Sequence, residues 1–104
     1  MMSVRLHARA ADDVRVATAY YLKEARGRAV ARRFAASFAA QIERIGEYPA
    51  AGSPRFAGLL GIPNLRSMPI ESFPFTVFYI VSDQEVTIMR VLHNSRDIPR
   101  TFGE

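Results

Sequence analysis

Phe75-Thr76-Val77-Phe78-Tyr79-Ile80-Val81, then Ser82-Asp83-Gln84, then Glu85-Val86-Thr87-Ile88-Met89-Arg90-Val91-Leu92-His93: this stretch decides the fold. The first run is β-branched and aromatic, the side chains that pack well on a pleated surface. It is dense enough for a central strand covered on one face and partly on the other. Ser82-Asp83-Gln84 supplies turn residues, so the two runs predict an antiparallel hairpin. Leu65 to Ile70 reads as a further strand beside them; Pro69 has no N–H for a ladder and suits an edge or a strand end. Asn94 to Glu104 is expected to be a tail, with Pro99 limiting any last helix to a turn.

Upstream the period changes from two to about 3.6. Val4-Arg5-Leu6-His7 alternates and predicts a short half-buried strand. Arg9 to Arg26 then reads as a helix, with Val14, Ala17, Tyr21, Leu22 and Ala25 forming one apolar stripe. Asp12 and Asp13 are placed in its first turn, at the positive end of the helix dipole. Gly27 is expected to end it in a left-handed conformation. Arg28 to Glu47 predicts a second helix with Val30, Phe34, Phe38, Ile42 and Ile45 on one face, stopped by Pro49. So short a connection makes the two an antiparallel hairpin. Pro49 to Pro63 carries Pro49, Pro54 and Pro63 with Gly52, Gly58 and Gly61, and reads as a long surface loop pinned by Phe56, Leu59, Leu60 and Ile62. The expected architecture is α+β, one domain over residues 1–104. A strand and a helical hairpin come first, then a three-stranded antiparallel sheet with the helices packed on one face.

Composition narrows the function classes. Of 104 residues, 49% are hydrophobic and 23% charged, as in an ordinary globular chain. The absence of Cys removes disulfide scaffolds, Cys-based zinc sites and thiol chemistry. No apolar run reaches the roughly 18 residues a bilayer span needs, and a cytoplasmic protein without a membrane role is expected. Lys+Arg 14 against Asp+Glu 10 gives +4, and Lys23 is the only Lys. Met1 to Arg55 holds ten basic and five acidic residues, whereas Phe56 to Glu104 holds four and five, so the positive charge belongs to the helical half. A basic half suggests an acidic partner, either nucleic acid or a negatively charged protein.

Side chains for catalysis are few. His7 and His93 stand at opposite ends of the chain, too few and too far apart for a zinc site. No Ser occupies a nucleophile turn, and the glycines match no phosphate-loop spacing. Neither a metal nor a cofactor is expected. Arg28 and Arg32, with Arg26 and Arg33 beside them, cluster at the turn of the helical hairpin. Two like charges four apart cost a few tenths of a kcal/mol, and a cation near a helix N-terminus about 0.3–1 kcal/mol more. They read either as a binding patch or as a solvated face. Arg66, Arg90 and His93 on the C-terminal strands are the candidates for a phosphate clamp and a proton carrier. Arg90 and His93, three apart, fall on opposite faces of a regular strand. Arg96 and Asp97 either contact a partner or tie down the tail as a local ion pair.

The segments Leu65-Arg66-Ser67-Met68-Pro69-Ile70, Phe78-Tyr79-Ile80-Val81 and Arg90-Val91-Leu92-His93-Asn94-Ser95-Arg96-Asp97-Ile98-Pro99 resemble the ParE branch of the ParE/RelE toxin superfamily. Tyr48-Pro49-Ala50-Ala51-Gly52-Ser53-Pro54-Arg55 is similar to that branch's Pro-x-x-Gly-x-Pro-Arg connection. The resemblance implies the toxin of a type II toxin–antitoxin (plasmid stabilisation) module in a bacterium. Its partner would be a ParD-like antitoxin with a ribbon-helix-helix half, through which operator DNA is reached, and a C-terminal segment that wraps the toxin. ParE toxins block DNA gyrase, whereas RelE relatives cut mRNA on the ribosome. The nuclease branch carries basic residues along the central strands and often a C-terminal Tyr. Here Phe75, Thr76 and Val77 stand in the central strand and no Tyr follows Tyr79. A gyrase inhibitor acting by binding is therefore expected in preference to an enzyme, with Arg28, Arg32, Arg66, Arg96 and Asp97 as candidate contacts to target or antitoxin. The alternatives are a ribosome-dependent mRNA endoribonuclease using Arg66, Arg90 and His93, and an inactive relative serving only as an antitoxin-binding corepressor.

Overall fold

The computed structural model describes residues 1–104. In chain order its elements are β1 (Ser3–Leu6), α1 (Ala8–Leu22), α2 (Gly27–Glu47), a 3-10 turn (Pro49–Ala51), α3 (Arg55–Leu60), β2 (Leu65–Pro69), β3 (Phe75–Val81), β4 (Glu85–His93) and α4 (Ile98–Phe102). The β3–β4 hairpin forms as its residue types predict, and β2 pairs antiparallel with β3 from Leu65↔Ile80 to Pro69↔Thr76. The sheet has four strands rather than three, in the order β1-β4-β3-β2. β1 joins the free side of β4 in parallel, Ser3↔Glu85 to Leu6↔Ile88. Its alternation explains the fit: Val4 and Leu6 pack on the main core, while Arg5 reaches Glu85 and Thr87.

The two faces of the sheet are covered unequally. Val77, Tyr79, Val86, Ile88 and Val91 meet Ala10, Ala17, Phe34 and Ile45 of the α1–α2 hairpin in the larger core. Tyr21, Phe34, Phe73 and Phe75 extend it as an aromatic cluster with ring centroids 5.3–6.3 Å apart, in tilted and edge-on geometries that suit aromatic quadrupoles. On the opposite face Leu65, Phe78 and Leu92 form a second core, capped by Phe56, Ala57 and Leu60 of α3 and by Ile98 and Phe102 of α4. The long helices thus occupy one face as expected. The other face gains a thinner cover from segments whose Pro and Gly content predicts a loop and a tail with at most one helical turn. α3 and α4 exist because docking on Phe78 and Leu92 supplies the apolar burial that so short a helix lacks by itself.

Two local expectations are corrected. α1 ends at Leu22, and the left-handed residue of the hairpin turn is Arg26 (φ 61°), not Gly27. Gly27 opens α2 and is needed for a different reason: a Cβ there would lie 2.6 Å from the Tyr21 carbonyl oxygen and closer still to that of Leu22. Asp12 and Asp13 also lie beyond the first turn of α1. The helix is capped instead by His7, whose Nδ1 accepts the Arg9 N–H at 3.1 Å. No helix is long and apolar enough to cross a membrane.

Candidate functional site: a groove at the open edge of the sheet

β1 is shorter than β4, so beyond Ile88 the outer edge of β4 has no strand beside it. Here the register slips: Tyr79 pairs with Ile88 but Phe78 pairs with Arg90, leaving Met89 as an extra residue. Such a bulge re-aims the following side chain. Arg90 turns toward α1 and donates from Nε and Nη2 to the two oxygens of Asp13, at 2.8 and 3.0 Å. Its Nη1 donates to the carbonyls of Thr101 and Phe102, at 2.8 and 3.1 Å. Asp13 also accepts the Val91 N–H at 2.9 Å, so one carboxylate covers an edge donor and neutralises a buried guanidinium. The hydrogen bonds from Arg90 to Asp13 raise the arginine's pKa, outweighing its burial.

Around this clamp lies a groove of about 410 Å³. One wall is the outward face of α1, where Val16 and Tyr20 are 57% and 60% exposed. The floor is Val91, Leu92 and His93 of β4, and the far rim carries Arg96 and Glu104. Val16 and Tyr20, four apart, form an apolar stripe off the core face of α1, and an apolar wall in water favours a protein partner. No three His, Asp or Glu side chains cluster in a way that could hold a metal ion.

The sequence candidates fare unequally. Arg90 is 8% exposed and its guanidinium is committed to Asp13 and two carbonyls. Arg66 pairs across β3 with Tyr79 and donates from Nη1 to the carbonyls of Ala50 and Gly52, at 3.1 and 2.7 Å. His93 stands opposite Phe75, with Nδ1 accepting the Ser95 N–H at 3.1 Å, and reaches the groove. Arg90 and His93 both border the groove, the bulge having turned Arg90 toward α1, but Arg66 serves another loop and does not join them. Arg96 reaches the groove rim and forms no ion pair with Asp97, which caps α4 by accepting the Arg100 N–H at 3.4 Å. Arg28 and Arg32 are exposed on the first turns of α2 and make no ion pair.

Sequence reasoning missed Asp13, whose partner lies 77 residues away. It also missed Val16 and Tyr20, although their four-residue spacing outside the core stripe is visible. For Tyr79 the residue pattern indicates only a place in a strand. Its buried hydroxyl donates to the Pro49 carbonyl at 2.8 Å and accepts the Gly52 N–H at 2.9 Å, fixing the Pro49–Gly52 loop. Burial raises its pKa, against smaller lowering effects of the Gly52 hydrogen bond and Arg66.

Comparison with known proteins gives a family and a fold. A family model described as the ParE toxin of the type II toxin–antitoxin system, parDE, matches residues 4–98. No curated protein matches the chain. A solved structure titled "Chromosomal ParDE TA system from P. aeruginosa" is similar to it at 23% identity and a TM-score of 0.74. The similarity covers 89% of this chain and 96% of that one, and shows a shared fold.

Proposed function

The chain belongs to the ParE toxin family of type II toxin–antitoxin systems, and from that premise we propose that it inhibits DNA gyrase in the bacterial cytoplasm and is neutralised by a ParD-like antitoxin. The groove carries this reading. A partner helix or extended segment lying between Val16, Tyr20 and the end of β4 would bury an apolar wall and meet Arg96 at the rim. The ribbon-helix-helix half of the antitoxin would then hold the pair on operator DNA. Action by binding is supported by the absence of Arg66 from the groove and by the engagement of the Arg90 guanidinium with Asp13 and two carbonyls, since phosphodiester cleavage needs base, acid and charge stabilisation within reach of one phosphate.

Induced expression tests the proposal. Growth arrest with gyrase-linked DNA breaks and intact mRNA is expected, relieved by co-expressed antitoxin. In vitro, the purified chain should inhibit gyrase supercoiling, and Tyr20→Ala should weaken antitoxin binding about tenfold or more, as for an aromatic anchor at an interface. Codon-dependent mRNA cleavage would overturn the gyrase reading in favour of a nuclease. Absence of any growth defect would point to a corepressor.

A further inference from the structure

The charges on the outer face of α2 stand the wrong way round for a lone helix. Arg28 is in its first turn and Glu47 in its last, each at the helix end whose dipole charge has its own sign. Arg28 and Arg32 are like charges four residues apart, and so are Glu43 and Glu47; both spacings are unfavourable on a helix surface. All four are exposed, and none makes an ion pair within the chain. The core does not demand the arrangement, because α2 packs inward through Phe34 and Ile45 on its other side.

With about 100° between successive residues, Arg28, Arg32, Ala36, Ala39, Glu43 and Glu47 fall within one sector of roughly 100°. Ala36 and Ala39, at its centre, are exposed, and side chains so small let a second helix approach closely. Beside this line a cleft of about 220 Å³ runs between α2 and Glu71, with Ala36, Ala40 and Gln41 in its wall. Gln41 is 4% exposed and its amide nitrogen has no acceptor, so a single chain leaves this side of α2 incomplete. Arg33 and Arg44 lie to the cleft side of the line.

We propose that this face of α2 binds the same face of a second copy of the chain, with the two helices antiparallel. A two-fold axis at the level between Ser37 and Phe38 sets the register. It brings Arg28 level with Glu47 of the second copy, Arg32 level with Glu43 of the second copy, and Ala36 level with Ala39 of the second copy; symmetry repeats each pair. Every charge on the line then meets its opposite, and each helix end lies beside the opposite end of the other dipole. A parallel pairing would set like charge against like. One helix pair about 30 Å long buries less than a standard interface, so the dimer is weak, with a dissociation constant of about 10–100 μM. The surface is separate from the α1 groove and owes nothing to the gyrase reading.

Sedimentation equilibrium of the full chain, up to about 300 μM, tests it. A monomer–dimer equilibrium is expected at about 50 mM salt, and a weaker one at about 500 mM, where exposed charges are screened. Arg28→Glu with Arg32→Glu, and separately Glu43→Arg with Glu47→Arg, should each weaken the dimer about tenfold or more, since like charges then face one another. Neither pair of changes should lower the melting temperature of the dilute chain, because each puts charge where the dipole favours it. The variant carrying all four reversals should dimerise again, and Tyr20→Ala in the α1 groove should leave the equilibrium unchanged. A chain still monomeric at about 300 μM, a dimer indifferent to either pair of reversals, or a dimer lost in Tyr20→Ala would each overturn the proposal. Failure of the fourfold reversal to restore the dimer would overturn the antiparallel register.

Discussion

Asp13 and Tyr79 each hold together parts of the chain that lie far apart in sequence. Asp13 joins α1 to β4 and, through Arg90, to the last turn of α4. With side chains only 10% and 15% exposed, neither member of that pair is removable alone; losing the carboxylate would leave a buried cation at a cost of about 3–5 kcal/mol. Tyr79 does the same for the Pro49–Gly52 loop, and its chemistry gives a pH signature. Its phenol is held above the ordinary 10.0 by burial, as is that of Tyr21, where Tyr20 adds to the effect. Above pH 10 the unfolded chain releases phenolic protons that the native state still holds, so stability present below that pH is lost as pH rises. Tyr79→Phe should lower stability near neutral pH by about 1–3 kcal/mol, because the buried Gly52 N–H loses its acceptor. Its alkaline decline should also be shallower, with Tyr21 supplying what remains. Thermal melts at pH 8 and pH 11 check both effects; parallel declines in the two proteins would exclude Tyr79 as a source. Neither role is legible in sequence, since nothing local to Asp13 or Tyr79 names a partner 77 or 30 residues away.

At the scale of elements, the strongly patterned segments were readable: both long helices, the β3–β4 hairpin and β2 follow from periodicity and residue type. The failures share one cause. α3 and α4 are helical through tertiary burial on Phe78 and Leu92, and β1 becomes part of the sheet through a partner at the far end of the chain. The hairpin turn is subtler, because glycine has two uses and its presence does not say which applies. Gly27 is required by close packing on the preceding carbonyls, and the left-handed strain falls one residue earlier, on Arg26. The two positions therefore respond oppositely. Arg26→Gly removes a left-handed side chain that costs about 1–2 kcal/mol and gives back part of this to unfolded-state entropy. A net gain near ~1 kcal/mol, or roughly 4–8 °C in melting temperature, is expected for a domain of this size. Gly27→Ala forces a methyl against backbone and should cost about 1–3 kcal/mol. Calorimetry on the two variants decides the point, and reversed signs would return the left-handed position to Gly27.

Across the whole molecule the charge is divided as the sequence indicates. The α1–α2 half is basic, and Arg28 and Arg32 at its turn are exposed and unpaired. Arg66, Arg90 and Asp97, grouped with them as candidates, spend their hydrogen bonds within the fold. The free cations are thus concentrated on the helical hairpin, with Arg96 at the groove and Arg55 on the opposite face. Exposed charges of one sign accelerate encounter with an oppositely charged partner more than they add to final affinity, and salt screens them within a Debye length. If an acidic antitoxin is the partner, Arg28→Glu with Arg32→Glu should slow association about tenfold or more at low ionic strength and leave dissociation little changed. The folded state should not be weakened and should gain about 0.3–1 kcal/mol, because neither side chain has a partner to lose and an anion replaces a cation at the positive end of the α2 dipole. Stopped-flow association at 50 mM and 500 mM salt (about 14 and 4 Å of screening length) separates steering from contact. A deficit that vanishes at the higher salt assigns these arginines to steering. An equal deficit at both, or a faster dissociation, would instead place them inside the bound interface, and no deficit at either would leave the basic half without a role in antitoxin capture.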